Sequence, residues 1–346
     1  MCGALDGIPS VGVLNFYFSP RSVQVSRHVV PATKPRIVLG PVVGSVSHER
    51  AVVVVEFDMY MKRAVMTLVD VVSGRRCSAS RVDVKAGIPH QFIVTELQPD
   101  RRYHVVFEQT ENTNERRGVV ITPSHPSENK AVRIVSVNLD DCHAVTLDVD
   151  EDDAEVDDPW RWISKMIKDH ERPFVIVTHM GGQIRLTKAM ETARLYLSNG
   201  GDEEKAKDYL REAYRTQWNI PFKRDVLSQF CNMMIRGGGD IGLWGDGSMS
   251  RATNLGGGDI VRKLTMDIYM EYQYSLLDPL EAIPRPINNI TSKTMCCAAA
   301  FTLYGSVAML RLDTRSNRMD SSTGSVHCDR PMMSKEQWNF VCFVEV

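Results

Sequence analysis

The 346-residue chain has no strong excess of either charge sign. Its 41 lysines and arginines nearly balance its 43 aspartates and glutamates, which leaves a formal net charge of −2. A chain without a basic excess gives no global electrostatic argument for a nucleic-acid partner or an anionic membrane. It also contains no apolar run near the ~18 residues that a membrane-spanning helix requires. We therefore predict neither a nucleic-acid partner nor a membrane association.

Cysteine pairs with the spacing of metal or redox sites are also lacking. None of the eight cysteines forms a C-x-x-C pair, and the adjacent Cys296 and Cys297 suit no disulfide framework. This usage favours a reduced intracellular setting, cytoplasmic or cytoskeletal. Residues 1–33 carry two arginines but a single acid, Asp6, which leaves a mitochondrial presequence as the alternative. We predict that residues 1–33 form an N-terminal arm.

Short β-branched and apolar runs fill residues 34–122. They include residues 52–57 and 64–69, and glycine-containing turns separate them. Several short strands within one such segment are typical of a β-sandwich. The stretch from Leu97 to Tyr103 has the pattern L-x-P-x-x-x-Y and is similar to the tyrosine corner of fibronectin type III domains. We therefore predict a fibronectin III-like sandwich over residues 34–122.

The pattern changes after a predicted linker at residues 123–130. Apolar strand candidates at residues 132–137, 174–178, 230–235 and 306–312 alternate with stretches of helical spacing. Strands that alternate with helices predict a layered α/β domain, here over residues 131–346. Between them, residues 148–158 are acidic at eight of eleven positions, which predicts a solvated surface loop.

Polar residues follow three of these strands. In layered α/β metallohydrolases the metal ligands lie where strands end, because carboxylates and imidazoles can converge there without disturbing the sheet. The first strand end starts at Asn138, the second contains His179 and the third starts at Arg236. These three segments are therefore where metal ligands are expected.

In this order, the three strand ends resemble the PhoD-like (alkaline phosphatase D type) metallophosphatase family. Its second motif is close to H-x-G-D-Q-I-Y-x-D and its third to N-x-M-x-x-D-D-H-D/E-I, and the matching segments here begin at His179 and Asn232. Supporting segments lie at residues 214–218, 227–228, 232–235, 244–246, 269–273, 305–315 and 334–338. The resemblance covers roughly residues 35–346 and implies a β-sandwich followed by a metallophosphatase-type α/β domain.

The departures from the family motifs fall on the metal ligands. An aspartate of the first motif is Asn138 here, the second motif has lost its ligating aspartate, and glycines replace the D-D-H triplet of the third. The degenerate metal-site positions are Asn138, Gly182, Arg185, Thr187, Gly237, Gly238 and Gly239. The remnants, which are also candidates for binding an anion, are His179, Gln183, Asn232, Arg236 and Asp240. Glycine has no ligating side chain, so the resemblance implies no metal, no cofactor and no catalytic residue.

A further departure concerns the C-terminus. Members of the family continue well past the S-x-x-Q-W motif, which lies at residues 334–338 here. The resemblance therefore implies either a natural truncation or a fragment.

The leading interpretation is a catalytically inactive pseudophosphatase that acts as a structural or protein-interaction component of a larger assembly. Its candidate contact elements are the N-terminal arm, the acidic run at 148–158 and the glycine loops at 237–239 and 256–258. Its predicted partners are other proteins of that assembly.

Two alternatives remain at this point. The first is a residual phosphoesterase with a site rebuilt from His179, Asp240, Asp140 and His143. The second is a metal-free module in which backbone N–H groups, Arg185 and Arg236 bind a phosphate, a nucleotide or another small anion. Residues 237–242 also match G-x-G-x-x-G, but the residues after them make a poor helix start, which weakens a dinucleotide site.

Overall fold

The structure is a computed structural model that describes residues 34–111, 117–128, 130–138, 159–168, 174–237, 240, 258–280, 300–304, 307–312 and 314. Several predictions concern residues outside these ranges. They are the N-terminal arm, the acidic run at 148–158, Asp140, His143, Gly238 and Gly239, the second glycine loop up to residue 257 and the C-terminal end. None of the described helices is both long enough and apolar enough to cross a membrane.

Seven strands form two antiparallel sheets in the first part of the chain. The strands are β1 (Ile37–Val46), β2 (Ala51–Phe57), β3 (Met61–Asp70), β4 (Arg76–Val84), β5 (Pro89–Val94), β6 (Arg102–Phe107) and β7 (Gly118–Ile121). One sheet has the order β1-β2-β5 and the other the order β4-β3-β6-β7. The two sheets share one apolar core, in which the ring of Phe107 makes edge contacts with Phe57 and Phe92 at 5.5 and 5.4 Å.

Strand β2 is buried at all seven positions, which explains its run of four valines. Val53 and Val55 face the core between the two sheets. Val54 points the other way, into a second core that contains Tyr214, Trp218 and other residues from the helices. A strand that is covered on both faces requires apolar residues at consecutive positions instead of alternate ones.

The turn before β6 contains the hydrogen bond that the L-x-P-x-x-x-Y pattern predicts. The buried Tyr103 hydroxyl accepts a hydrogen bond from the Gln98 N–H at 2.8 Å. The Thr122 hydroxyl in turn donates to the Gln98 carbonyl at 2.6 Å. These bonds tie the loop between β5 and β6 to the end of β7.

Tyr103→Phe is expected to lower the free energy of unfolding by about 1–2 kcal/mol, because the Gln98 N–H loses its acceptor. Urea denaturation measures the change. Tyr60→Phe is the matched control, since the exposed Tyr60 hydroxyl bonds Asp83 at the surface and its loss should cost less than about 0.5 kcal/mol. Equal effects of the two variants would show that the Tyr103 contact is not a stabilising one.

The second part of the chain alternates strands and helices. They are β8 (Arg133–Val137), α1 (Pro159–Lys168), β9 (Val175–His179), α2 (Thr187–Ser198), α3 (Glu203–Trp218), α4 (Pro221–Gln229), β10 (Cys231–Met234), α5 (Gly258–Tyr272), β11 (Ala300–Tyr304) and β12 (Val307–Arg311). Strands β10, β9 and β8 form a parallel sheet in that order, and β11 and β12 form an antiparallel pair. Helix α2 ends at Ser198, and α3 starts after Asp202, whose side chain accepts a hydrogen bond from the Lys205 N–H.

Residues Lys34–Val346 form one compact unit by their contacts. Side chains join the antiparallel sheets to the helices. Arg215 of α3 bonds Glu56 of β2 at 2.6 Å, and Arg50 bonds Asp278 at 2.7 Å. The predicted boundaries at residues 123 and 131 stay a prediction, but the two parts on either side of them are packed together.

Candidate functional site

The carboxyl ends of the parallel strands meet at one edge of the sheet, as the sequence predicts. Val137 of β8 and Met234 of β10 both pair with His179 of β9, so the segments that follow these strands start side by side. Asn138 follows β8 and is exposed, whereas His179 and Asn232 are buried. The structure therefore brings the second and third predicted segments together and leaves Asn138 on the surface.

His179 is fixed by its neighbour in β10. The Asn232 side-chain nitrogen donates to the carbonyls of Val43, Leu227 and Phe230, which orients the Asn232 Oδ1 towards His179. His179 Nε2 lies 3.0 Å from this oxygen. Because an amide oxygen can only accept, Nε2 must carry the hydrogen. In this arrangement Nε2 is a donor and offers no lone pair to a metal ion.

Two more side chains enclose the imidazole of His179. The Trp160 ring of α1 stacks against it at 5.9 Å between centroids. The buried ammonium group of Lys223 lies over the Trp160 ring, 5.4 Å from its centroid. Lys223 Nζ also donates to the Gln183 carbonyl at 2.9 Å. The buried Lys223 ammonium group therefore contacts both the segment after β9 and the tryptophan that covers His179.

Asp240 is fully buried, and its carboxyl group accepts hydrogen bonds from three backbone N–H groups. Oδ2 accepts from Gly182 at 3.0 Å and from Gly237 at 2.6 Å. Oδ1 accepts from Ile184 at 3.1 Å and from the Gln273 side chain at 3.3 Å. Burial raises the pKa of Asp240, and the four N–H donors oppose that rise. We call these four donors the Asp240 cradle.

The cradle depends on glycine at the contact between two loops. Gly181 and Gly182 have φ of +101° and +75°, a region that favours glycine. A Cβ on Gly237 would lie 2.7 Å from the Gly182 nitrogen and 2.8 Å from the Gly181 Cα. The two loops therefore touch through their backbones, at two of the positions where the family resemblance implies lost ligands.

The other predicted residues lie around this contact. Gln183 Nε2 donates to the Ile235 carbonyl and to Gln273 Oε1, both at 2.9 Å. The backbone of half-buried Arg185 exchanges two hydrogen bonds with the Gln217 side chain, and Thr187 is the exposed first residue of α2.

Arg236 is buried on the far side of Gln273. Its guanidinium carbon lies 5.6 Å from the centroid of the Tyr269 ring, and Nη1 lies 3.3 Å from the Met266 sulfur. Arg236, Tyr269, Gln273 and the buried Arg311 line a cavity of about 10 Å³. The cavity adjoins the cradle through Gln273, and both arginines contribute to its wall.

Three residues that matter at this site were not predicted as site residues. Gln273 links Gln183, Asp240 and Tyr214 by hydrogen bonds, Lys223 bonds the Gln183 carbonyl, and Trp160 covers His179. A signal for Gln273 was present, because residues 269–273 belong to a segment that resembles the family. Its role still depends on contacts between residues up to 90 positions apart.

The described residues do not form the two-metal centre for which the family motifs supply ligands. No group of three or more His, Cys, Asp and Glu side chains converges anywhere in the described ranges. At the strand ends, His179 Nε2 is a donor, the Asp240 oxygens are bonded to N–H groups, and Lys223 and Arg236 are buried cations. Gln183 Oε1 lacks a partner among the described residues, but one neutral amide oxygen does not hold two metal ions.

The fold is similar to a known one, although the sequence is not. No protein-family model and no curated protein matches the sequence. A solved structure of PhoD matches 88% of the chain with a TM-score of 0.56 and 12% sequence identity. The chain spans 58% of the length of that structure. At this identity the similarity shows the fold alone, and it confirms the PhoD-like fold that the motif order predicts.

Proposed function

We propose that the protein is a pseudophosphatase, in which a fibronectin III-like sandwich and a metallophosphatase-like α/β layer serve as a structural or protein-interaction component. Other proteins of a larger assembly are its proposed partners. The proposed location is the cytoplasm or the cytoskeleton, with mitochondria as the alternative. The single observation that carries the proposal is the Asp240 cradle.

The cradle occupies the edge where a metallophosphatase needs an open, ligand-lined cleft. Two-metal hydrolysis requires several anionic or imidazole ligands and a water whose pKa the metal lowers. In this chain, the glycine contact between the two loops closes the same place, and the Asp240 carboxylate binds backbone N–H groups there. These contacts support the proposal that the fold has a structural role and does not hydrolyse phosphate esters.

Helix α1 supports a role in protein contacts. Its buried face, with Trp160 and Ile167, packs on the sheet. On its other face Trp162 and Met166 are 63% and 55% exposed, one helical turn apart. Large apolar side chains that are exposed next to one another are typical of contact surfaces, and tryptophan is frequent among the residues that dominate binding energy.

Hydrolysis of aryl phosphate mono- and diesters tests the proposal. The full chain is assayed with Mn²⁺, Ca²⁺, Zn²⁺ and Fe³⁺, beside a His179→Ala variant whose fold is checked by circular dichroism. We expect the same rate for both proteins, no higher than the rate without protein. Metal-dependent hydrolysis that His179→Ala abolishes would contradict the proposal and favour the rebuilt site with Asp140 and His143.

A further inference from the structure

Within the described residues, the hydrogen-bond partners of the Asp240 carboxylate are all N–H donors. Both carboxylate oxygens accept N–H groups, from three backbone positions and one amide side chain. No described lysine or arginine forms an ion pair with it. Backbone N–H groups that converge on one point can bind an anion, because each N–H carries a partial positive charge. The cradle thus has the donors of an anion site, and the anion it holds is part of the chain.

We propose that the cradle is a binding site for one planar carboxylate and that Asp240 is its internal ligand. The site consists of the N–H groups of Gly182, Ile184 and Gly237 together with the Gln273 side chain. Its donors are paired so that each oxygen of a carboxylate receives two. This arrangement suits a flat anion with two oxygens better than a tetrahedral phosphate.

The internal ligand determines whether carboxylates in solution can bind to the cradle of the native protein. A carboxylate on the same chain acts at a high effective concentration, so a free carboxylate in solution competes poorly with it. The native cradle is therefore expected to be closed to solutes. When a substitution removes the Asp240 carboxylate, the four donors become a free site next to the cavity that Arg236 and Arg311 line.

The inference does not depend on the proposed lack of catalysis, since a cradle that binds carboxylate says nothing about turnover. Asp240→Ala removes one carbon and two oxygens, the heavy atoms of formate. Loss of the carboxylate is expected to lower the Tm by about 5–10 °C, because several buried N–H groups lose their acceptor. Formate at pH 7 should then fill the hole and restore part of that loss.

The test is thermal denaturation of the full-length Asp240→Ala protein with sodium formate, sodium chloride or sodium phosphate at matched ionic strength. We expect formate, from zero to about 200 mM, to raise the Tm of this variant by at least about 3 °C more than chloride does. Phosphate should act like chloride. The wild type and Asp240→Asn, in which the site is filled by an aspartate or by its amide isostere, should not respond specifically to formate.

Equal effects of formate and chloride on Asp240→Ala, or an equal formate effect on Asp240→Asn, would overturn the proposal. If Asp240→Ala accumulates only as insoluble protein, the readout becomes soluble yield after refolding from urea. The proposal then predicts at least about threefold more soluble protein in formate than in chloride, and equal yields overturn it. Phosphatase activity is measured separately, so a failure here is distinct from a failure of the proposed function.

Discussion

Gly237→Ala is expected to lower the free energy of unfolding by about 3 kcal/mol or more, because the new methyl group meets backbone and not a movable side chain. The nearest atoms would be the Gly182 nitrogen at 2.7 Å and the Gly181 Cα at 2.8 Å. The loops would have to separate, and the N–H groups of Gly182 and Gly237 would then leave Asp240. Urea denaturation, read as a shift in the midpoint at constant slope, measures the loss.

Gly200→Ala is the matched control for this substitution. Gly200 has a φ of +83°, but a Cβ there would meet no atom within 4 Å. Its replacement therefore costs backbone strain alone, about 1 kcal/mol. If Gly237→Ala costs no more than Gly200→Ala, the two loops are not held in contact as described. Gly237→Asp, which restores the residue type of the family motif, is expected to destabilise at least as much as alanine and to restore no metal site.

The second large effect is expected for Arg215→Ala. The carboxylate of Glu56 is completely buried inside β2, with Arg215 Nε at 2.6 Å from Oε1 and the Tyr272 hydroxyl donating to Oε2 at 2.7 Å. Arg215 also donates to the Gly87 carbonyl at 3.0 Å. Removing its guanidinium leaves a buried carboxylate without its cation, which typically costs about 3–5 kcal/mol. Since Arg215 keeps some solvent exposure, we expect the lower part of that range.

The loss should depend on pH in a defined direction. Burial raises the pKa of Glu56 and the nearby Arg215 charge lowers it, so the pKa rises further in Arg215→Ala. A carboxyl group with a raised folded-state pKa favours folding below its unfolded pKa and loses that contribution as the pH rises through the folded value. The defect of Arg215→Ala should therefore be smaller at pH 5 than at pH 8.

Arg76→Ala is the control for a surface ion pair. Arg76 pairs with Glu108, and both side chains are more than half exposed. Such pairs are usually worth less than about 1 kcal/mol. If Arg215→Ala lowers the free energy of unfolding no more than Arg76→Ala does, or if its defect does not change with pH, Glu56 is not a buried, paired charge.

Sequence motifs were sufficient to predict the order of the strand ends and which residues stand there. His179 and Asn232 lie on adjacent parallel strands, and parallel strand ends meet at one edge whatever the rest of the chain does. The alternation of strands and helices likewise predicted the fold class, since it depends on local patterns. The valine run of β2 was correctly predicted as a strand, but its burial on both faces required the helices that cover Val54.

The closure of the site could not be predicted in the same way. From the sequence alone, Gly182 and Gly237 are positions where glycine replaces a metal ligand of the family motifs. That they form a backbone contact follows from the φ angles near 181 and from the approach of two loops that are 55 residues apart in the chain. Asp240 was predicted as a remnant ligand, whereas its oxygens accept hydrogen bonds from the backbone. Glu56 was read as part of an apolar strand, because its partner Arg215 is 159 positions away.

We infer that the glycine contact and the Asp240 cradle close the strand-end edge and leave no metal site among the described residues there. Calorimetric titration of the full chain with Mn²⁺ and Zn²⁺ tests it most directly, with His179→Ala and Asp240→Asn titrated in parallel. Acidic residues elsewhere bind divalent cations weakly, so the decisive quantity is the difference between the wild type and the variants. We expect identical isotherms for all three proteins. Stoichiometric binding to the wild type that either variant abolishes would contradict it.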